Sequence, residues 1–206
     1  MTVLYYMHDP MCSWCWAFRP VWDDVRQQMP DSMEVKYLLG GLAPDSDLLM
    51  SAETRSMIRR HWQVIEKKVP GTRFNYDFWS RCDPRRSTYP ACRAVIAAKN
   101  QNPMLEDAMI QAIQHAYYLN ARNPSDDEIL IDLAYSLSLD VSRFKNDLHG
   151  ADTQAELMSE IRTASNMGCT GFPGLILEDR GAFRHIRIDY SDAGMMLQQL
   201  SSVQAL

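Results

Sequence analysis

Cys12 and Cys15 are three residues apart, between a short apolar segment with strand character and a segment with helical periodicity. A Cys-x-x-Cys pair has two chemistries open to it: half of a zinc site, or a dithiol that closes reversibly into a disulfide. A strand-to-helix junction favours the second. Cys12 falls near the helix N-cap, where unpaired N–H groups and the helix dipole favour a thiolate, the attacking species in disulfide exchange. Cys15 lies one turn on, at spacings that place it with Phe18 and Trp22, so it is expected to be shielded while Cys12 is exposed. Zinc needs two more ligands, and Cys82, Cys92, Cys169 and the five histidines offer no second Cys-x-x-Cys or paired knuckle, so no metal is expected. Asp9 is expected to cap the turn and point away, since a carboxylate facing the sulfur opposes its ionisation. His8 either turns its ring to Cys12 or is a solvated loop side chain. The second is favoured, because nothing in the sequence fixes its direction.

The elements that must position the pair can be read from periodicity. Residues 2–7 are β-branched and aromatic and stop at His8-Asp9-Pro10, which predicts a buried strand and a turn. Cys15, Phe18, Trp22, Val25 and Met29 recur on one helix face, with Pro20 inside it and Pro30-Asp31 closing it. Residues 33–39 read as a second strand, so the opening is a parallel βαβ unit. From about 45 to 150 the pattern is helical, with stripes at Ile58/Trp62/Ile65, Tyr89/Cys92/Ile96 and Leu105/Met109/Ala112/Ala116/Leu119. Ser125-x-x-Glu128 and Thr153-x-x-Glu156 look like capping boxes. The first opens a helix with Ile129, Leu133 and Leu137, the second one with Leu157, Ile161 and Ala164. A glycine-bearing loop, 168–174, leads into a hairpin, and Asp192 can cap a last helix carrying Met196, Leu200 and Val203.

The chain has 206 residues, 46% of them hydrophobic, and a formal charge of −5 with both signs mixed. That suits one domain, or one carrying a large insertion. Arg59-Arg60 and Arg85-Arg86 are the longest basic runs and read as solvated faces, so no nucleic-acid partner is expected. No run is long enough for a membrane span, and the first basic residue is Arg19, so no secretory leader is read. Five cysteines, an odd number, do not suit a secreted disulfide scaffold. A cytoplasmic location is expected. Cys82, Cys92 and Cys169 read as structural thiols, although Cys169 lies near Pro173.

Taken together, Asp9-Pro10-Met11-Cys12-Ser13-Trp14-Cys15-Trp16, the kink residue Pro20 and the order βαβ, helical stretch, ββα resemble the DsbA-like branch of the thioredoxin superfamily. Within it they are similar to cytoplasmic, CxxC-bearing proteins of disulfide isomerase type. The resemblance implies an α/β thioredoxin-like fold, residues 1–44 and 151–206, interrupted by an all-helical insertion domain, 45–150. It implies that Cys12 is the nucleophile and Cys15 the resolving thiol. A helix, a glycine-bearing loop and X-Pro before a strand is where this fold places a cis-proline, here Pro173. An ordinary trans loop is the reading for Pro173 taken alone, and the Cys-x-x-Cys pair reverses that balance. A cis bond exposes the Phe172 backbone to an extended substrate. Ser13 and Trp14, which influence redox poise, and Phe172 and Pro173 are the expected substrate contacts. Ser13-Trp14 is neither the thioredoxin dipeptide nor that of the periplasmic oxidants, and Phe172 is larger than the usual Val or Thr. The direction of exchange therefore stays open. The implied activity is thiol–disulfide exchange or isomerisation with thiol- or disulfide-bearing proteins or glutathione, with glutathione as an optional co-substrate and no other cofactor. Two alternatives remain. One is a glutathione-binding enzyme like the kappa-class transferases or hydroxychromene-carboxylate isomerases, which carry serine where this chain has Cys12. The other is a client-binding module without turnover.

Overall fold

The computed structural model describes residues 2–201. Strand β1 (Thr2–His8) lies inside a four-stranded sheet of order β2-β1-β3-β4, with β2 spanning Glu34–Leu39, β3 Gly174–Asp179 and β4 Ala182–Ile186. β2 pairs parallel to β1, Tyr6 opposite Tyr37; β3 pairs antiparallel to β1, Leu4 opposite Leu177; β4 pairs antiparallel to β3. The parallel pair requires a crossover, and helix α1 (Ser13–Gln28) supplies it.

Strand alternation sorts the side chains onto two faces. Leu4, Tyr6, Leu175 and Leu177 pack with Phe18, Val21, Trp22 and Val25 of α1 and with Met196 and Leu200 of the last helix, α9 (Ala193–Ser201). Phe18 and Trp22 are fully buried there, and each contributes roughly 1.5–3 kcal/mol by that burial. Met7, Leu38 and Ile176 face the other way, onto Ala164 of α8 (Ala151–Asn166). Asp192 Oδ1 accepts the Gly194 N–H at the start of α9 at 2.8 Å, as its position predicts; Val203 lies outside the described residues.

Between β2 and α8 the chain is helical: α2 (Ala52–Lys68), α3 (Phe78–Arg81), α4 (Tyr89–Gln101), α5 (Glu106–Tyr118), α6 (Asp127–Ser136) and α7 (Val141–Leu148). Trp62, Phe78, Ile96, Met109, Tyr118, Phe144 and Leu157 form its core, and Met11, Ala17 and Leu39 belong to that same cluster. Lys99 of α4 reaches Glu156 and Glu160 of α8 at 2.9 and 2.8 Å, and Glu160 also accepts the Leu39 N–H at the end of β2.

Neither capping box forms. Helix α6 begins at Asp127, and the Ser125 hydroxyl donates to the Ser87 carbonyl at 2.6 Å. Asp126, the N-cap, has its carboxylate engaged by Arg85. Helix α8 begins before Thr153, with Gly150 as N-cap, and Thr153 is buried in its first turn. At Ser125 a tertiary hydrogen bond stands in place of a local signal worth roughly 1 kcal/mol.

Candidate active site

The Asp9-Pro10-Met11 turn delivers Cys12 to the N-cap of α1, in extended conformation (φ −80°, ψ 118°), with its carbonyl accepting the Trp16 N–H at 3.0 Å. No side chain caps this helix and its first turn holds no acid, so its first N–H groups are left without a side-chain cap at the residue that carries the Cys12 sulfur. Cys15 is fully buried on the inner face. Burial, then the neighbouring Cys12 sulfur, pushes the Cys15 thiol well above its ordinary range, which favours its protonated form. Cys12 is only 6% exposed, less than its predicted role as an open thiol suggests. It is reached through a cleft of about 400 Å³ bounded by Met11, Ser13, Trp14, Leu42 and Met57 on one side and Thr170 to Phe172 on the other.

The 168–174 loop closes against the pair. The Phe172–Pro173 peptide is cis. The Cys12 thiol donates to the Phe172 carbonyl at 3.5 Å. Ser13, Trp14 and Phe172 therefore share one cleft with Cys12, while Pro173 borders a second, on the far side of the loop with Cys169 and His185. Trp14 packs edge-on against Tyr190 at 5.2 Å. All five cysteines are free thiols. Cys92 is buried and donates to Asp9, Cys82 donates to the Ala121 carbonyl, and Cys169 donates to that of Gly171. Among the described residues no group of three or more His, Cys, Asp or Glu side chains is placed to hold a metal ion.

The turn itself is held from a distance. Asp9 is fully buried. Its Oδ1 accepts the Met11 N–H at 2.8 Å, the turn cap that its position predicts. Its Oδ2 accepts from Leu42 N at 2.7 Å, Thr88 Oγ1 at 2.6 Å and Cys92 Sγ at 3.6 Å. Burial pushes this carboxyl up, and the hydrogen bonds oppose the rise. The Tyr118 hydroxyl of α5 donates to the Met11 carbonyl at 2.6 Å, and its ring stacks on Trp16 at 5.7 Å. Thr88 and Tyr118 carry no local sequence signal for this work, because their partners are remote in the chain.

His8 is not the solvated side chain its loop position suggests. It is the last residue of β1, 1% exposed, stacked on Tyr6 at 5.2 Å and edge-on to Tyr37 at 5.6 Å. Neither ring nitrogen has a protein partner. Burial lowers its pKa to about 3; Asp107 acts in the opposite sense, and Arg19 and Lys99 in the same sense. It is uncharged near neutrality and offers Cys12 no cation. The unfolded chain takes up this proton near pH 6.5 and the folded one only near 3. Stability is therefore expected to be retained above 6.5 and lost progressively as pH falls toward 3, by up to roughly 4–5 kcal/mol from this group. Urea unfolding at successive pH values should show His8→Phe losing less than the wild-type chain between pH 6 and 4. Parallel profiles for the two would rule out His8 as the source.

A Cys-x-x-Cys pair at the N-terminus of the first helix of a βαβ unit, faced by a cis-proline loop, defines the thioredoxin class. The chain belongs to the thioredoxin family, whose model matches residues 5–199. It is 27% identical over 168 residues to the ClpXP adapter protein SpxH of Halalkalibacterium halodurans, covering 80% of this chain and 54% of that one. It thus spans about half the length of that curated relative. Its fold matches a proposed protein disulfide isomerase from Nitrosomonas europaea with a TM-score of 0.86 and 28% identity, over 99% of this chain and 98% of the other. The cytosolic disulfide reductase DsbM of Pseudomonas aeruginosa, also solved with GSH, matches with a TM-score of 0.80 and 22% identity over 99% and 100%. The thioredoxin-like fold with a helical insertion, of DsbA type, read from the sequence is the fold observed.

Proposed function

We propose that the chain is a thiol–disulfide oxidoreductase acting through Cys12 and Cys15. The observation that carries this reading is the asymmetry of the pair: Cys12 caps α1 at the cleft and touches the Phe172 carbonyl, and Cys15 is buried beneath it with its thiol held protonated. The Cys12 thiolate attacks one sulfur of a client disulfide, forming a mixed disulfide and expelling the other sulfur as a thiolate. That thiolate takes up a proton. Cys15 then loses its own proton and attacks the Cys12 sulfur, and the second client sulfur leaves as a thiolate. Two electrons pass from the dithiol to the client, and the Cys12–Cys15 disulfide remains. Run backwards, the same steps oxidise a client dithiol. Ser13 and Trp14 flank the reacting sulfur, and the backbone beside Pro173 meets the extended client.

Protein thiols and glutathione are the proposed partners, with no metal or nucleotide. Glutathione is supported by the cleft, where Arg86 and His61 are exposed and Arg86 makes no ion pair among the described residues, a setting suited to an anionic thiol. The GSH complex of DsbM points the same way. A client-handling role is supported by the SpxH relatives, described as adapters. We place the protein in the cytoplasm, in line with its five free thiols and with the cytosolic DsbM. The boundaries 1–44 with 151–206 and 45–150 stand as the proposed domains. The expected result of brief treatment with glutathione disulfide is the loss of two thiols, both in the peptide that holds Cys12 and Cys15, and their return with dithiothreitol. Loss at Cys82 or Cys92 instead, or no reversible loss, would overturn the reading.

A further inference from the structure

Phe172 is large for its place, and the structure shows where its ring goes. A Cβ built on Gly40 would lie 1.8 Å from Cζ, 2.0 Å from Cε1 and 2.6 Å from Cε2 of Phe172. Carbon atoms in contact sit roughly 3.5–4.0 Å apart, so the ring occupies the space any side chain at position 40 would need. Its other neighbours are the buried cluster of Met7, Leu38, Ala164 and Ile176, against which it packs. Gly40 is itself fixed, since its N–H donates to the carbonyl of His8 at 2.7 Å, at the end of the strand that leads to Cys12. Phe172 thus has its ring wedged over β2 and its carbonyl on the Cys12 sulfur.

We propose that Gly40 and Phe172 are a positioning pair: the ring, seated where Gly40 has no side chain, sets the Phe172 carbonyl at its distance from Cys12 and so tunes the dithiol. Phe172 then serves a client with its backbone, and its ring is an anchor. The inference rests on the dithiol reading above. The Cys12 S–H that donates to this carbonyl belongs to the reduced form, so the contact stabilises the dithiol over the disulfide. Withdrawing the carbonyl makes the pair easier to oxidise.

The test is a double-variant cycle on the full chain, with circular dichroism as the folding control. Readouts are the Cys12/Cys15 equilibrium in glutathione buffers and the iodoacetamide rate at Cys12. Gly40→Ala should shift the equilibrium toward disulfide by roughly two- to fivefold, the scale of one weak S–H···O hydrogen bond, or about 10–20 mV for this two-electron couple. Cys12 should alkylate several-fold faster. Phe172→Val, which loses the anchor, should move the same way by less. Gly40→Ala/Phe172→Val, in which the two changes of volume compensate, should return most of the way to wild type, a coupling that independent sites do not give. Additive effects, or a Gly40→Ala chain with the wild-type equilibrium, would overturn the pairing. If Gly40→Ala fails to fold, folding regained in the double variant supports the pair, and a double variant that stays unfolded overturns it. A wild-type chain that forms no reversible Cys12–Cys15 disulfide defeats the dithiol reading instead, and is seen before any variant is made.

Discussion

In Cys15→Ser, covalent adducts are expected to accumulate on Cys12, as mixed disulfides with glutathione or with client proteins. The substitution leaves Cys12 at the N-cap of α1 with the cleft in front of it, so attack still proceeds. It removes the buried thiol that would end the encounter, and serine does not displace a sulfur. Each attack then stops halfway, and steady-state disulfide reduction should fall by two or more orders of magnitude, the scale seen when one member of a group acting as a unit is removed. Cys12→Ser should carry no adduct at this site, because Cys15 is fully buried. A glutathione-conjugating enzyme would keep most of its activity in Cys15→Ser, and a passive adapter would hold clients equally in both variants and retain them under reductant. The readout is a non-reducing gel of both variants beside wild type. Equal patterns in the two variants would end the oxidoreductase reading.

The second large effect is on stability. Asp9→Ala removes the acceptor shared by Met11 N, Leu42 N, Thr88 Oγ1 and Cys92 Sγ at a fully buried position. A buried donor left without a partner costs roughly 1–3 kcal/mol. Relief of the carboxylate's own burial cost, visible in its raised pKa, offsets part of that. A net loss of about 2–4 kcal/mol is expected, a large share of the roughly 5–15 kcal/mol that holds a typical domain. Urea unfolding followed by tryptophan fluorescence would measure it. A variant within about 0.5 kcal/mol of wild type would behave like an ordinary surface change and would remove Asp9 from the structural frame of the site.

The parts of this molecule that sequence made legible are those in which a residue answers to its near neighbours. The β-branched and aromatic run 2–7 marked a buried strand, and three- and four-residue spacing put Cys15, Phe18 and Trp22 on one buried helix face. The Cys12–Cys15 pair was visible for the same reason, since one helical turn separates its members. What was not legible depends on partners far along the chain. Thr88 and Tyr118 reach the active-site turn from 79 and 107 residues away. Ser125 does not close the capping box read from the sequence, and its hydroxyl donates instead to the Ser87 carbonyl, 38 residues away. His8 looked like a loop residue, and only the rings of Tyr6 and Tyr37 around it reveal that it closes a buried strand. The ring of Phe172 answers to Gly40, far back in the chain, whose missing side chain leaves it room.

Met11 sits in the turn that carries Cys12, and Ala17 and Leu39 in α1 and β2, yet their side chains belong to the core of the helices that interrupt the fold. In evolutionary terms the two regions are not free to drift apart. A change of volume in α4 or α5 is felt at Met11, and so at the turn that carries Cys12, because a close-packed interior transmits strain. A repacked helical core is therefore expected to call for compensating changes at positions 11, 17 and 39. A chimera that borrows a relative's helices should borrow those three residues as well.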